Sequence, residues 1–154
     1  MRRASSFLLG LQLALAAPLA AAECKGVIHL TFDTGSMRSA EPIAATLREE
    51  NAKATFFLAN EKTFRGDYAL DPAWDGYWKR LADEGHAFGN HTWSHLYARG
   101  DEGGKVIAVN DGGERFALDR TRYCEELTKV ERAFERATGR RLAGLWRAPG
   151  WRTT

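Results

Sequence analysis

The chain has little that crosslinks, repeats or spans a membrane. Only two cysteines, Cys24 and Cys124, occur in its 154 residues, so at most one disulfide is available and the pair alone makes no metal site. No internal repeat or low-complexity tract appears, and nothing marks a second domain. The apolar run from Phe7 to Ala17 is too short and too near the terminus for a membrane span. A charge excess is missing too. The whole chain carries 22 basic and 20 acidic residues. Two of the basic ones, Arg2 and Arg3, lie in a leader that has no acidic residue, so its removal leaves a balance of zero. Neither nucleic-acid binding nor steering toward an acidic polymer follows from such a surface.

That leader reads as an export signal. Arg2 and Arg3 form a basic start, Phe7 to Ala17 an apolar stretch, and Ala20, Ala21 and Ala22 a small-residue cleavage site. Glu23 before Cys24 does not suit a lipoprotein signal, and the residues after the twin arginines match a twin-arginine signal weakly. Cleavage after Ala22 leaves residues 23–154 as the mature domain, periplasmic or secreted. An oxidising compartment permits a disulfide between Cys24 and Cys124. Closing a loop of about 100 residues contributes roughly 4–5 kcal/mol where geometry allows the bond. Two unpaired thiols are the alternative.

The mature chain alternates strand-like and helix-like segments, which predicts an α/β fold with mostly parallel strands. Val27 to Phe32 is a short apolar run rich in β-formers, expected as a buried strand ending at Asp33. A helix capped by Ser39 follows, with Glu41 in its first turn, Pro42 early, and Ile43 and Leu47 on one face. Ala54 to Ala59 is the second strand. Trp74, Tyr77, Trp78 and Leu81 recur at helical spacing before Gly85, a stripe read as core packing rather than a ligand platform. His86 to Asn90 is a short strand leading into a histidine pair. The stretch from Ala98 to Leu118 is glycine-rich and irregular, with a hairpin signal where Val106–Val109 and Arg115–Leu118 flank Asn110-Asp111-Gly112-Gly113. The longest helix spans about Asp119 to Thr138, with Gly139 as its stop. A strand-like segment, Leu142 to Trp146, precedes Arg147-Ala148-Pro149-Gly150-Trp151.

Chemistry concentrates at two places. Asp33 sits at the carboxyl end of a strand, where parallel α/β folds place reactive groups, although a turn aspartate is the commoner role for such a residue in isolation. His91 and His95 lie four residues apart, and a helical segment would let both rings reach one ion. Ser94 between them orients a ligand or starts a helix. One acid and two imidazoles are the parts needed to hydrolyse an amide or ester with an activated water.

The order of Thr31-Phe32-Asp33-x-Gly35, Ala54-Thr55-Phe56-Phe57, Glu84-Gly85-His86-x-Phe88-Gly89-Asn90-His91-Thr92-x-Ser94-His95 and Trp146-Arg147-Ala148-Pro149-Gly150 closely resembles the NodB-homology polysaccharide deacetylases, carbohydrate esterases of family 4. The likeness runs from about Val27 to Trp151. It implies a distorted (β/α) barrel with its site at the carboxyl ends of the strands, an N-acetylated glycan as substrate, and a divalent metal, usually zinc. Asp33 matches the family's catalytic base, His91 and His95 its two histidine ligands, and Arg147 an arginine that orients the aspartate. The Gly150 main-chain N–H, where the family commonly has tyrosine, would donate to the oxyanion. His86 also matches and reads as structural, while His29 carries no role; Phe32 and Phe57 read as core residues.

Two departures stand out. The family's usual metal aspartate is here Thr34, a far poorer zinc ligand that also removes a negative charge, and leaves only a weak metal-shell position. The chain also stops at Thr154, before the family's later motifs and its general-acid histidine, which predicts an incomplete barrel with an unpaired edge. The expected function is N-deacetylation of amino sugars. A noncatalytic carbohydrate-binding relative and a metal-independent amide hydrolase are the alternatives.

Overall fold

A computed structural model describes residues 26–151. The leader at residues 1–22 and Cys24 lie outside the described residues; Cys124 is exposed on a helix. The elements run β1 (Leu30–Asp33), α1 (Ala40–Glu49), β2 (Ala54–Leu58), α2 (Asp75–Asp83), β3 (Ala87–Asn90), β4 (Tyr97–Glu102), β5 (Lys105–Val109), β6 (Arg115–Leu118) and α3 (Arg120–Thr138). Short 3₁₀ turns at Pro72–Trp74 and Pro149–Trp151 complete them. Strands β1, β2 and β3 form one parallel sheet in that order, and β4, β5 and β6 a separate antiparallel one.

Strand register sorts the parallel sheet into two faces. Phe32 is level with Phe56, and Phe56 with Phe88. Side chains alternate along a strand, so these three rings share a face. They stack at 5.4 and 5.7 Å and meet Trp78 of α2 and Phe134 of α3. Full burial of each such ring contributes about 2–3 kcal/mol. The next register row is Asp33, Phe57 and Gly89, which face the other way at the carboxyl ends of the strands. One face therefore builds the core, and its opposite is free for chemistry.

The aromatic stripe packs as expected. Trp74, Tyr77, Trp78 and Leu81 are buried, with the Trp78 indole donating to the Ala69 carbonyl and the Tyr77 hydroxyl to that of Ala40. Helix α3 starts where Asp119 accepts from the Arg122 N–H and stops at left-handed Gly139. His86 is structural: its buried Nδ1 accepts from the Ala54 N–H at 3.1 Å and ties β3 to β2. His29 is exposed.

Five expectations need correction. Strand β1 begins at Leu30 and is largely exposed, with Val27 and Ile28 outside it, because β1 is an edge of its sheet and an apolar run does not distinguish edge from centre. Phe32, read as core, is accordingly half-buried and packs against the core from its margin. Ser39 occupies the cap position of α1, but its side chain makes no capping bond. The stretch from Ala98 to Leu118 is a regular three-stranded meander. Its hairpin between β5 and β6 was expected, but polar β4 was not; it turns into β5 through Gly103 and Gly104, both at positive φ, and carries a bulge between Ala98 and Gly100. Leu142 to Trp146 runs beside β3 but forms a single bridge, Asn90 to Trp146, rather than a strand.

Candidate active site

The site lies where β1, β2 and β3 end. Asp33 closes β1, and the Arg147 Nη1 donates to its Oδ1 at 2.6 Å. The guanidinium lies 3.9 Å from the centre of the Phe57 ring and 4.6 Å from that of Trp151. Phe57 in turn occupies space that only glycine leaves at position 89, where a Cβ would come within 2.6 Å of its ring. The register row thus stacks Gly89, Phe57 and Arg147 so that the arginine meets Asp33.

The histidine pair is not on a helix. The turn from His91 to His95 is held by main-chain and buried polar contacts, with Thr92 and His95 in the left-handed region at φ 64 and 49. The His91 N–H donates to the Leu58 carbonyl at 2.9 Å. Asn90 Oδ1 accepts from the Thr92 N–H, and the Thr92 hydroxyl accepts from the Leu96 N–H. Glu126 of α3, itself buried, accepts from the Ser94 N–H at 2.7 Å and from its hydroxyl at 3.2 Å. Ser94 is therefore engaged with α3.

His91 is 2% exposed. Its Nδ1 lies 2.8 Å from the Arg147 carbonyl, which only accepts, so Nδ1 carries the proton and Nε2 bears a lone pair. Burial holds the His91 pKa below the usual histidine value, against the pull of that bond and of Asp33. Nε2 lies 3.7 Å from Asp33 Oδ2. At that spacing a single water set beside the two acceptors can donate a hydrogen bond to each.

His95 stands beside His91, with ring centres 4.9 Å apart. Its Nδ1 lies 2.8 Å from Asp111 Oδ2 and 3.7 Å from Glu61 Oε1. The Tyr97 hydroxyl donates to the other Asp111 oxygen at 2.8 Å. Burial, then Asp111, pushes the Tyr97 phenol up to about 12, which keeps it a donor. Glu61 Oε2 is buried without a hydrogen-bond partner. Burial raises the Glu61 pKa, while His95 and Thr34 pull it back. Glu61, His95 and Asp111 line a cleft of about 500 Å³ with Tyr68 and Trp93.

The structure thus brings Asp33, His91 and Arg147 into one cluster, with His95 at its side. The Thr34 hydroxyl oxygen accepts from the Ala59 N–H at 2.8 Å, which engages one of its lone pairs. Gly150 has φ 63, and a Cβ there would lie 2.8 Å from the Tyr97 ring, so this turn admits only glycine without movement. Sequence reasoning missed Glu61, Tyr97, Asp111 and Glu126. Glu61 follows β2, and that strand-end position was the available signal; Asp111 was read only as part of a turn.

The residues present fit a divalent metal. His91 has its outer nitrogen fixed by a carbonyl, leaving the inner one free, as ligating histidines do. Among the described residues, Glu61, His95 and Asp111 each offer one ligand atom within 4.8 Å of the others.

A family model described as polysaccharide deacetylase matches residues 20–153. A peptidoglycan-N-acetylglucosamine deacetylase of Bacillus cereus is 32% identical over 104 residues, 67% of this chain and 42% of that one. A chitin disaccharide deacetylase of Vibrio alginolyticus is 35% identical over 75 residues, 48% of this chain and 17% of the other. Among solved structures, a family 4 carbohydrate esterase from Bacillus anthracis has a TM-score of 0.55 at 27% identity, over 79% of this chain and 47% of that one. The chain shares the α/β fold of these deacetylases and spans under half the length of each of these three relatives.

Proposed function

The chain belongs to the polysaccharide deacetylase family, and from that premise we propose that it is an exported hydrolase removing N-acetyl groups from amino sugars in a glycan. The name of the Bacillus cereus relative makes peptidoglycan N-acetylglucosamine the first substrate to try, and that of the Vibrio alginolyticus relative makes chitin oligomers the second. The observation that carries the reading is the Arg147–Asp33–His91 cluster at the carboxyl ends of the parallel strands.

Each residue has a task. Arg147 donates to Asp33 Oδ1 and fixes the carboxylate, so that Oδ2 faces the gap beside His91 Nε2. A water in that gap gives its proton to Oδ2 as its oxygen adds to the acetyl carbon. The Gly150 N–H donates to the oxygen that becomes anionic. Collapse breaks the carbon–nitrogen bond, the proton held by Asp33 passes to the departing amine, and acetic acid leaves and ionises to acetate in solution. His91 and His95 would hold the metal, with zinc the best match to imidazole nitrogen. When bound, the metal supplies a lowered pKa for water and polarises the carbonyl. The mature domain begins after Ala22, and export delivers it to the periplasm or the medium.

Acetate release from N-acetylglucosamine oligomers and from peptidoglycan, with and without a chelator, tests this reading. Release that stops with chelator supports it. Release that ignores chelator supports a metal-independent amide hydrolase. Glycan binding without release supports a noncatalytic relative, a second reading that the carboxylate lost at Thr34 favours.

A further inference from the structure

We propose that Asp111 and Tyr97 are positioning residues for the reaction: Asp111 holds the His95 proton on Nδ1, leaving Nε2 to a metal, and Tyr97 fixes Asp111 while its ring backs Gly150. This rests on the reading that His91 and His95 hold the metal, and goes further by naming what presents His95 to it.

A histidine binds a metal through one ring nitrogen, and the partner of the other decides which one. His91 is set by a carbonyl, since its Nδ1 meets the Arg147 oxygen at 2.8 Å. His95 is set by a carboxylate. Its Nδ1 lies 2.8 Å from Asp111 Oδ2, and an ionised carboxylate only accepts, so the proton sits on Nδ1 and the lone pair on Nε2. Glu61 does not compete for that proton, because its Oε1 stands 3.7 Å away, beyond hydrogen-bond reach. The two rings, with centres 4.9 Å apart, therefore offer the same nitrogen by two different devices.

The Asp111 side chain is 57% exposed, and an unsupported contact there would order neither group. The turn and a neighbour hold it. The Asn110 N–H donates to the Glu114 carbonyl at 3.1 Å, and Asn110 Oδ1 accepts from the Glu114 N–H at 3.0 Å, which closes the turn that carries Asp111. The Tyr97 hydroxyl donates to Asp111 Oδ1 at 2.8 Å. Tyr97 lies on β4 level with Val109 of β5, so strand pairing sets that reach.

The Tyr97 ring has work of its own. It stands edge-on to His95 with ring centres 4.9 Å apart. A Cβ at Gly150 would meet two of its carbons at 2.8 and 3.1 Å. The ring thus fills the space that a side chain at position 150 would take, and supports the turn whose N–H is the proposed oxyanion donor. Imidazole and donor lean on one residue that lies outside every motif of the family pattern.

Nitrogen-15 NMR of the metal-free full chain reads the His95 tautomer, and zinc calorimetry and steady-state kinetics on N-acetylglucosamine oligomers read its consequences. The wild-type ring should carry Nδ1–H. Asp111→Ala, a change at an exposed hairpin position, should melt close to the wild type, shift the ring toward Nε2–H and weaken zinc binding about 10–100-fold. Asp111→Asn, whose amide oxygen still accepts from Nδ1–H, should recover most of that loss. Tyr97→Phe keeps the ring and Tyr97→Ala removes it, so kcat should be lower in the second by about tenfold or more with KM little changed. A proton on Nε2 in the wild type, or zinc binding by Asp111→Ala equal to wild type, overturns the role of Asp111 and leaves a His91–His95 site standing. Equal kcat in the two Tyr97 variants overturns the role of the ring. A wild type that carries Nδ1–H and binds no zinc overturns the metal-assisted reading and the purpose given to Asp111 with it. Zinc binding that depends on Asp111, without acetate release, supports Asp111 in this role and overturns only the deacetylase reading.

Discussion

The Arg147 guanidinium donates to Asp33 at 2.6 Å across 114 residues of sequence, and its own carbonyl meets His91 Nδ1 at 2.8 Å. One residue therefore orients both the proposed base and the imidazole opposite it. Its planar fork lies against Phe57, where a lysine ammonium cannot reproduce the stacking or the direction of the bond. Arg147→Lys is expected to lower kcat for acetate release by at least about tenfold with little change in KM, which steady-state kinetics on an N-acetylglucosamine oligomer will check.

Gly89 is the hidden member of the same stack. A methyl group there meets the Phe57 ring at 2.6 Å and the Leu145 carbonyl at 3.0 Å. Gly89→Ala should cost about 1–3 kcal/mol in denaturant unfolding, as overpacking does. Because the displaced ring carries Arg147, kcat should fall even at temperatures where the variant is fully folded.

Thr34→Asp adds a carboxylate next to Glu61 and Asp33. Like charges without a cation repel, so the metal-free variant should melt lower than the wild type. Zinc affinity should rise by roughly tenfold or more as a carboxylate replaces a hydroxyl near the site. Calorimetry that finds unchanged affinity would place residue 34 outside the metal's reach.

His86 makes a pH prediction. Burial holds its folded pKa below the unfolded value of about 6.5, and its Nδ1 must stay unprotonated to accept from Ala54. The unfolded chain binds the proton first as pH falls, so this contribution is intact above about pH 6.5 and is lost below it. Melting temperature should drop between pH 7.5 and 5, and the slope should flatten in His86→Gln.

Much of the fold was legible in the sequence because its cues are local. Asp119 and Gly139 mark the ends of α3, Gly85 the end of α2, and Asn110 to Gly113 the hairpin. Strand β4 was not legible, since Tyr97–Glu102 is polar and bulged and lacks alternation. At the site, Asp33, His91, His95 and Arg147 were found through motif order, which reports position in a family pattern rather than contact. Glu61, Asp111 and Glu126 belong to no such motif. Their importance comes from tertiary pairing with His95 and Ser94, which nothing in their neighbouring residues encodes. The helical condition placed on the His91–His95 spacing is not met for a related reason: Thr92 and His95 take left-handed backbone, in a turn held by buried Thr92 and Glu126, that the spacing alone does not reveal.

The most direct measurement compares acetate release by the wild type and Asp33→Asn, a variant that keeps the shape and can still meet Arg147. The account predicts release by the wild type and a rate about 10²–10⁴-fold lower for Asp33→Asn, with both proteins melting at similar temperatures. Undiminished release by Asp33→Asn, or none by the folded, metal-loaded wild type, would contradict it.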